Sequence, residues 1–179
     1  MTHAECPDLT PLDPAMPLRI LLIEDNEHDR IAFTRALRTC ASLCVICPCV
    51  RTEEALALLA PVPLAFDIVV VDYNLPGDNG LTLCRTLLER GTPLPIVLLT
   101  GSGNEQVAVA ALKLGIADYI IKDPNENYLA LLPILLPQIV RSYRAVTAQL
   151  PPGTGLPTRR ARRQSDWRKS STVFRLPPL

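Results

Sequence analysis

Five polar residues stand where apolar runs stop. Glu24 and Asp25 follow Leu18-Arg19-Ile20-Leu21-Leu22-Ile23, Asp72 closes Ile68-Val69-Val70-Val71, Thr100 closes Pro95-Ile96-Val97-Leu98-Leu99, and Lys122 closes Asp118-Tyr119-Ile120-Ile121. Three carboxylates sharing one cleft repel each other unless a cation neutralises them. An all-oxygen donor set of this density suits Mg²⁺, which takes carboxylates and waters rather than a full protein cage. Thr100 adds a hydroxyl and Lys122 a point positive charge. The combination suits a phosphoryl group, whose equatorial charge would be met by metal, ammonium and hydroxyl from different sides.

These residues act together only if the elements behind them bring them to one rim. The run Phe66-Asp67-Ile68-Val69-Val70-Val71 is continuously apolar after Asp67 rather than alternating, the habit of a parallel strand covered by helices on both faces. Asp72 then sits at a strand's carboxyl end, where open parallel sheets gather ligands. Residues 18–23 read as a first strand. The helix after it is capped by Asp25 or Asn26, with Glu27 and Asp29 favourably placed in its first turn and Phe33, Ala36, Leu37 and Cys40 on its buried face. Leu43 to Val50 is a weaker strand interrupted by Pro48, which only an edge position accepts. Thr52 to Ala60 reads as a helix capped by Thr52.

After Asp72 the chain turns through Gly77 and Asn79-Gly80 into a helix with Leu81, Cys84, Leu87 and Leu88 inward, stopped at Gly91. The fourth strand ends at Thr100-Gly101-Ser102-Gly103, which taken alone is an ordinary turn. Gly103 or Asn104 opens a helix with Val107, Ala110, Ala111 and Leu114 buried, closed by Gly115, and the strand ending at Lys122 follows. A last helix containing Pro133 and Pro137 is expected to kink or to start late, with Pro133 as a first helical residue. Five β-α repeats within about 120 residues predict a parallel sheet with right-handed crossovers and helices on both faces.

At 179 residues and 48% hydrophobic, the chain suits one ordinary domain plus tails. Zero net charge conceals a division, because residues 1–17 hold three acids and no Lys or Arg, whereas 151–179 hold one acid and seven bases. Only that tail could attract a polyanion. The run Arg159-Arg160-Ala161-Arg162-Arg163 has no groove-reading architecture beside it and reads as a solvated linker, so nucleic acid is not expected as a partner. No basic segment followed by an apolar stretch opens the chain, and Leu129 to Val140 is shorter than a bilayer-spanning helix. A cytoplasmic protein without a membrane partner is expected. Cys40, Cys44, Cys47 and Cys49 lack the spacing of a zinc site and read as small apolar residues. His3 and His28 join no cluster.

Residues 18 to 146 resemble the receiver domain of two-component response regulators, through ILLIEDNEHD, IVVVDYNLPGDNGL, IVLLTGSG and ADYIIKD in matching order and spacing. The resemblance implies a flavodoxin-like, doubly wound five-stranded parallel sheet of order 2-1-3-4-5. It implies that Asp72 accepts a phosphoryl group from a histidine kinase or phosphotransfer protein. Asp25, Asp72 and the backbone carbonyl of Asn74 would hold Mg²⁺, with Glu24 acting mainly through a water on the metal. Thr100 and Lys122 would bond the phosphoryl oxygens, Gly101 would leave room beside them, and the rotamer of Tyr119 would couple to Thr100. A downstream effector would read the face of the fourth helix, fifth strand and last helix, and a homodimer is compatible with the resemblance.

Two departures stand out. Glu24 replaces the commoner aspartate, and Asp123-Pro124 follows Lys122 where proline usually comes directly. Residues 1–17 are expected to form an irregular leader and 147–179 a Pro- and Arg-rich tail or linker without packed structure. The expected function is a phosphoacceptor switch with self-dephosphorylation at most, not an enzyme. The alternatives are the front of a longer histidine kinase or nucleotide cyclase, and a small Mg²⁺-dependent aspartyl-phosphate phosphohydrolase. The last usually needs a second acid where Asn74 stands. A DNA-binding regulator would need a helix-turn-helix, and none is visible after Leu150.

Overall fold

The side chains of residues 20–23 and 68–71 are fully buried, which only inner strands of a sheet covered on both faces can satisfy. The computed structural model describes residues 17–38, 44–61, 64–77, 79–101 and 105–148. In chain order the elements are β1 (Leu18–Ile23), α1 (Glu27–Arg38), β2 (Cys44–Cys49), α2 (Thr52–Leu58) and β3 (Ile68–Asp72), followed by α3 (Gly80–Glu89), β4 (Ile96–Gly101), α4 (Glu105–Leu114), β5 (Asp118–Lys122) and α5 (Asn127–Thr147). The five strands are parallel in the order β2-β1-β3-β4-β5, as the flavodoxin-like expectation required. Pro48 lies on the edge strand β2, opposite Leu22. The leader up to residue 16, the tail from 149, and Cys40 lie outside the described residues.

Strand alternation builds two cores. Leu21, Ile23, Val69, Val71 and Leu98 face Leu83, Cys84 and Leu87 of α3 and Ala111 of α4. Ile20, Leu22, Val70, Val97 and Leu99 face Phe33 and Leu37 of α1 and Leu132, Leu136 and Val140 of α5. Each fully buried aliphatic side chain contributes about 1.5–3 kcal/mol. β3, buried along its whole length, is therefore the strand least free to shift.

Several expectations needed correction. Thr52 is the first helical residue of α2 rather than its cap; Arg51 occupies that position without a side-chain bond, and the helix stops at Leu58. In α3, Leu83 joins Cys84 and Leu87 in the core, while Leu81 and Leu88 are only partly buried. In α4, Ala108 and Ala111 are buried and Ala110 is exposed. Alanines carry too little apolar surface for periodicity to choose among them. The helix α5 starts early, at Asn127, and takes both prolines inside. Its start is fixed by Asp123, whose Oδ1 accepts from Tyr128 N at 2.8 Å and whose Oδ2 accepts from Asn127 N at 3.1 Å. The buried stripe Tyr128, Leu132, Leu136 and Val140 then offsets the backbone bonds that Pro133 and Pro137 cannot make. Among the described residues α5 is the one helix long and apolar enough to cross a membrane. Here that stripe lies on the sheet.

The amino ends of the strands are locked by Asp67, a buried carboxylate just before β3. Its Oδ2 accepts from Arg19 N at 2.9 Å and from Arg19 Nε at 3.3 Å, and its Oδ1 accepts from the Arg144 guanidinium of α5 at 2.8 Å. Removing one partner of a buried ion pair costs far more than trimming an exposed one. Asp67→Ala should lower stability by about 3 kcal/mol. Arg144→Ala, at a half-exposed position, should cost less than about 1 kcal/mol. Urea denaturation of both variants checks this, and equal losses would contradict it.

Candidate functional site

The carboxyl ends of β1, β3, β4 and β5 meet at one rim. Glu24 follows β1 and is buried, its backbone N–H donating to Cys49 O at 3.0 Å. Arg30 of α1 reaches back to donate to the carbonyls of Glu24 and Asp25, at 3.0 and 2.7 Å. Asn26 caps α1 by accepting from His28 N at 2.9 Å. These bonds fix the loop that carries both acids.

Asp72 ends β3, and its Oδ2 accepts from the backbone N–H of Asn74 at 2.7 Å. The helix α3 begins hard against it. Gly80 N donates to Tyr73 O at 2.8 Å, and a Cβ at position 80 would collide with the carbonyl oxygen of Asp72. Only glycine allows this approach.

One oxygen each from Glu24, Asp25 and Asp72 lies within 4.8 Å of the others. Lys122 Nζ lies 2.6 Å from Glu24 Oε2, 2.6 Å from Asp72 Oδ1 and 2.8 Å from Asp29 Oδ2. Burial pushes the Glu24 carboxyl up from its ordinary value, with the Asp72 charge adding to the rise and the Lys122 hydrogen bond opposing it. Burial alone would lower the Lys122 ammonium. Its bonds to Asp29, Asp72 and Glu24 outweigh that and raise it, so it stays charged.

Thr100 lies on β4 one residue past Leu99, the register partner of Asp72. Its hydroxyl is buried and has no hydrogen-bond partner among the described residues. Such an orphan costs about 1–3 kcal/mol. The donor set fits a hard divalent cation, and the orphaned hydroxyl fits an acceptor oxygen brought in from outside. Tyr119 pairs in register with Leu98 and packs, partly buried, on the same sheet face as Thr100.

The residues singled out from the sequence thus divide. Glu24, Asp25, Asp72 and Lys122 are brought into measured contact or proximity. Thr100 follows the register partner of Asp72, Asn74 contributes a backbone donor, Gly101 ends β4 opposite Lys122, and Tyr119 packs, partly buried, on the sheet. Asp29 was read only as a first-turn acid. Its contact is with Lys122, 93 residues on, so no local signal marks it. Gly80 was read only as a turn residue, because the approach of α3 to Asp72 has no sequence signature. Asp123, which stands where the proline is usual, accepts from the first two backbone N–H groups of α5, while Glu126 is the N-cap residue.

Comparison with known proteins agrees with this geometry. The family described as response regulator receiver domain matches residues 20–132. The transcriptional regulatory protein FixJ of Azorhizobium caulinodans is 33% identical over 108 residues, covering 60% of this chain and 48% of that protein. The chain spans about half or less of the length of the curated relatives it matches. Among solved structures, the Francisella response regulator 1452 receiver domain is 18% identical with a TM-score of 0.60, covering 70% of this chain and 98% of its own. The phosphorylated cyanobacterial phytochrome response regulator RcpA is 25% identical with a TM-score of 0.57, covering 75% and 96%.

Removing Lys122 would leave the carboxylates of Glu24 and Asp72 buried without their cation. Lys122→Met should therefore lose about 3 kcal/mol at neutral pH without divalent ions. The sign of the pH dependence follows from Glu24: a buried acid with a raised folded-state value takes up its proton before the unfolded chain does. The penalty grows as pH rises through that raised value and is relieved as pH falls through it. Added Mg²⁺ should also restore stability. Thermal unfolding against pH, with and without Mg²⁺, checks both, and a pH-independent loss would contradict the assignment.

Proposed function

The chain belongs to the response regulator receiver domains of two-component systems, and on that premise we propose that Asp72 is its phosphoacceptor. The observation that carries this assignment is the orphaned Thr100 hydroxyl beside a carboxylate already oriented by Lys122 and by the Asn74 N–H. A carboxylate oxygen of Asp72 attacks phosphorus, and the bond from phosphorus to the donor's histidine nitrogen breaks. The imidazole leaves and an acyl phosphate remains. Thr100 donates to one phosphoryl oxygen and Lys122 to another, so charge developing in the transition state meets donors already in place.

Glu24, Asp25 and Asp72, with the Asn74 carbonyl, would hold Mg²⁺, which when bound offsets the carboxylate charge that would otherwise repel the phosphoryl group. Asn74 supplies no general acid or base two residues past the acceptor, which favours a switch with slow self-dephosphorylation over a phosphohydrolase. Drawing Thr100 inward would open space beside Tyr119 and bias the face of α4, β5 and α5. That face exposes Val109, Leu112 and Ile121, suited to an apolar contact with an effector or a second copy. The donor in this reading is a cytoplasmic histidine kinase or phosphotransfer protein.

Intact mass after incubation with acetyl phosphate and Mg²⁺ tests the assignment. The wild type should gain one phosphoryl group and Asp72→Asn none. An adduct that survives the substitution would place the acceptor elsewhere.

A further inference from the structure

The acid that contacts Lys122 from helix α1 has no place in the carboxylate cluster. Asp29 Oδ2 accepts from Lys122 Nζ at 2.8 Å, yet Asp29 is not among the three residues whose oxygens converge. We propose that Asp29 is a positioning residue that keeps the Lys122 ammonium aimed at the acceptor throughout the phosphorylation cycle. The proposal rests on Asp72 being that acceptor.

An ammonium has three N–H donors, and three carboxylates lie within 2.8 Å of this one. Two of the three change when the cleft is loaded. Asp72 gives one oxygen to phosphorus, and Glu24 comes to face a divalent cation. Asp29 does neither, so its bond is the one that persists in both states. A lysine stem has four rotatable carbons and loses its aim readily when unpaired. Asp29 in turn is held by the turn that carries the metal acids: Asn26 Oδ1 accepts from His28 N at 2.9 Å and from Asp29 N at 3.5 Å, and Arg30 bonds the carbonyls of Glu24 and Asp25. Movement of that loop therefore carries Asp29 and the acids together. The Asp29 side chain is about a third exposed, so its contribution lies in geometry more than in Coulomb energy. A first-turn acid serving only the helix dipole would have no bearing on Lys122.

The chain has three lysines, Lys113, Lys122 and Lys169, so ¹⁵N-lysine labelling gives a directly readable ammonium signal, assigned by its loss in Lys122→Arg. In the wild type the Lys122 signal should be sharp through slow exchange. In Asp29→Asn it should broaden or vanish, and Asp29→Glu should restore it. The initial rate of acyl phosphate formation from acetyl phosphate at saturating Mg²⁺ should fall about tenfold in Asp29→Asn, the scale of one charge-assisted hydrogen bond, and recover in Asp29→Glu. An unchanged rate with an unchanged Lys122 signal overturns the proposal. So does a slower rate with an unchanged signal, which would make Asp29 a general electrostatic contributor. Absence of any adduct on the wild type overturns the acceptor assignment instead.

Discussion

The buried ion pairs of Lys122 are the constraint the rim is built around. Glu24 and Asp72 are almost without solvent exposure, and taking carboxylates out of water costs several kcal/mol each unless a cation compensates. Lys122 is that cation, and it reaches them only because β5 lies in parallel register beside β4, which lies beside β3. The sheet order is therefore a requirement of the charge arrangement as much as of the apolar core. A different strand order would leave the acids buried without their partner.

The strand β3 runs between two buried aspartates whose surroundings differ in kind. Asp67, before its first residue, is met by the backbone N–H and guanidinium of Arg19 and by Arg144. Together those partners satisfy both carboxylate oxygens. Asp72, at its last residue, is met by a backbone N–H and by one lysine shared with two other acids. Beside it a threonine hydroxyl has nothing to bond among the described residues. One end of the strand is satisfied as it stands, and the other is arranged for something to arrive. At the Asp72 end it is the unpartnered Thr100 hydroxyl, in a low-dielectric setting, that gains most from a new partner.

Much of this was legible in the sequence, for physical reasons. Short continuous apolar runs bounded by turn residues are the habit of inner parallel strands, so β1, β3 and β4 were recognisable, and Pro48 marked β2 as an edge. The acids, Thr100 and Lys122 were recognisable because a parallel sheet sends every strand end to the same rim. What the sequence hid was contact made through space. Nothing local distinguishes Asp29 from a helix-dipole acid, or Gly80 from a turn glycine, until α1 and α3 are docked. The alanines of α4 left its rotation open, since removing or adding a methyl barely changes a buried stripe. The early start of α5 has no helix-local signal because Asp123, standing in the proline's usual place, holds the first N–H groups from four and five residues upstream. The prolines within α5 misdirected the reading because long burial on the sheet overrides a local backbone penalty.

The central claim is that the rim is completed by a phosphoryl group on Asp72, met by Thr100 and Lys122. A crystal structure of the full chain with Mg²⁺ and beryllofluoride, which mimics an acyl phosphate, tests it most directly. The account predicts beryllium on a carboxylate oxygen of Asp72, one fluorine within hydrogen-bond distance of Thr100 Oγ1 and another of Lys122 Nζ, and a metal among Glu24, Asp25 and Asp72. Beryllofluoride bound elsewhere, or bound at Asp72 with the Thr100 hydroxyl still unpartnered, would contradict it.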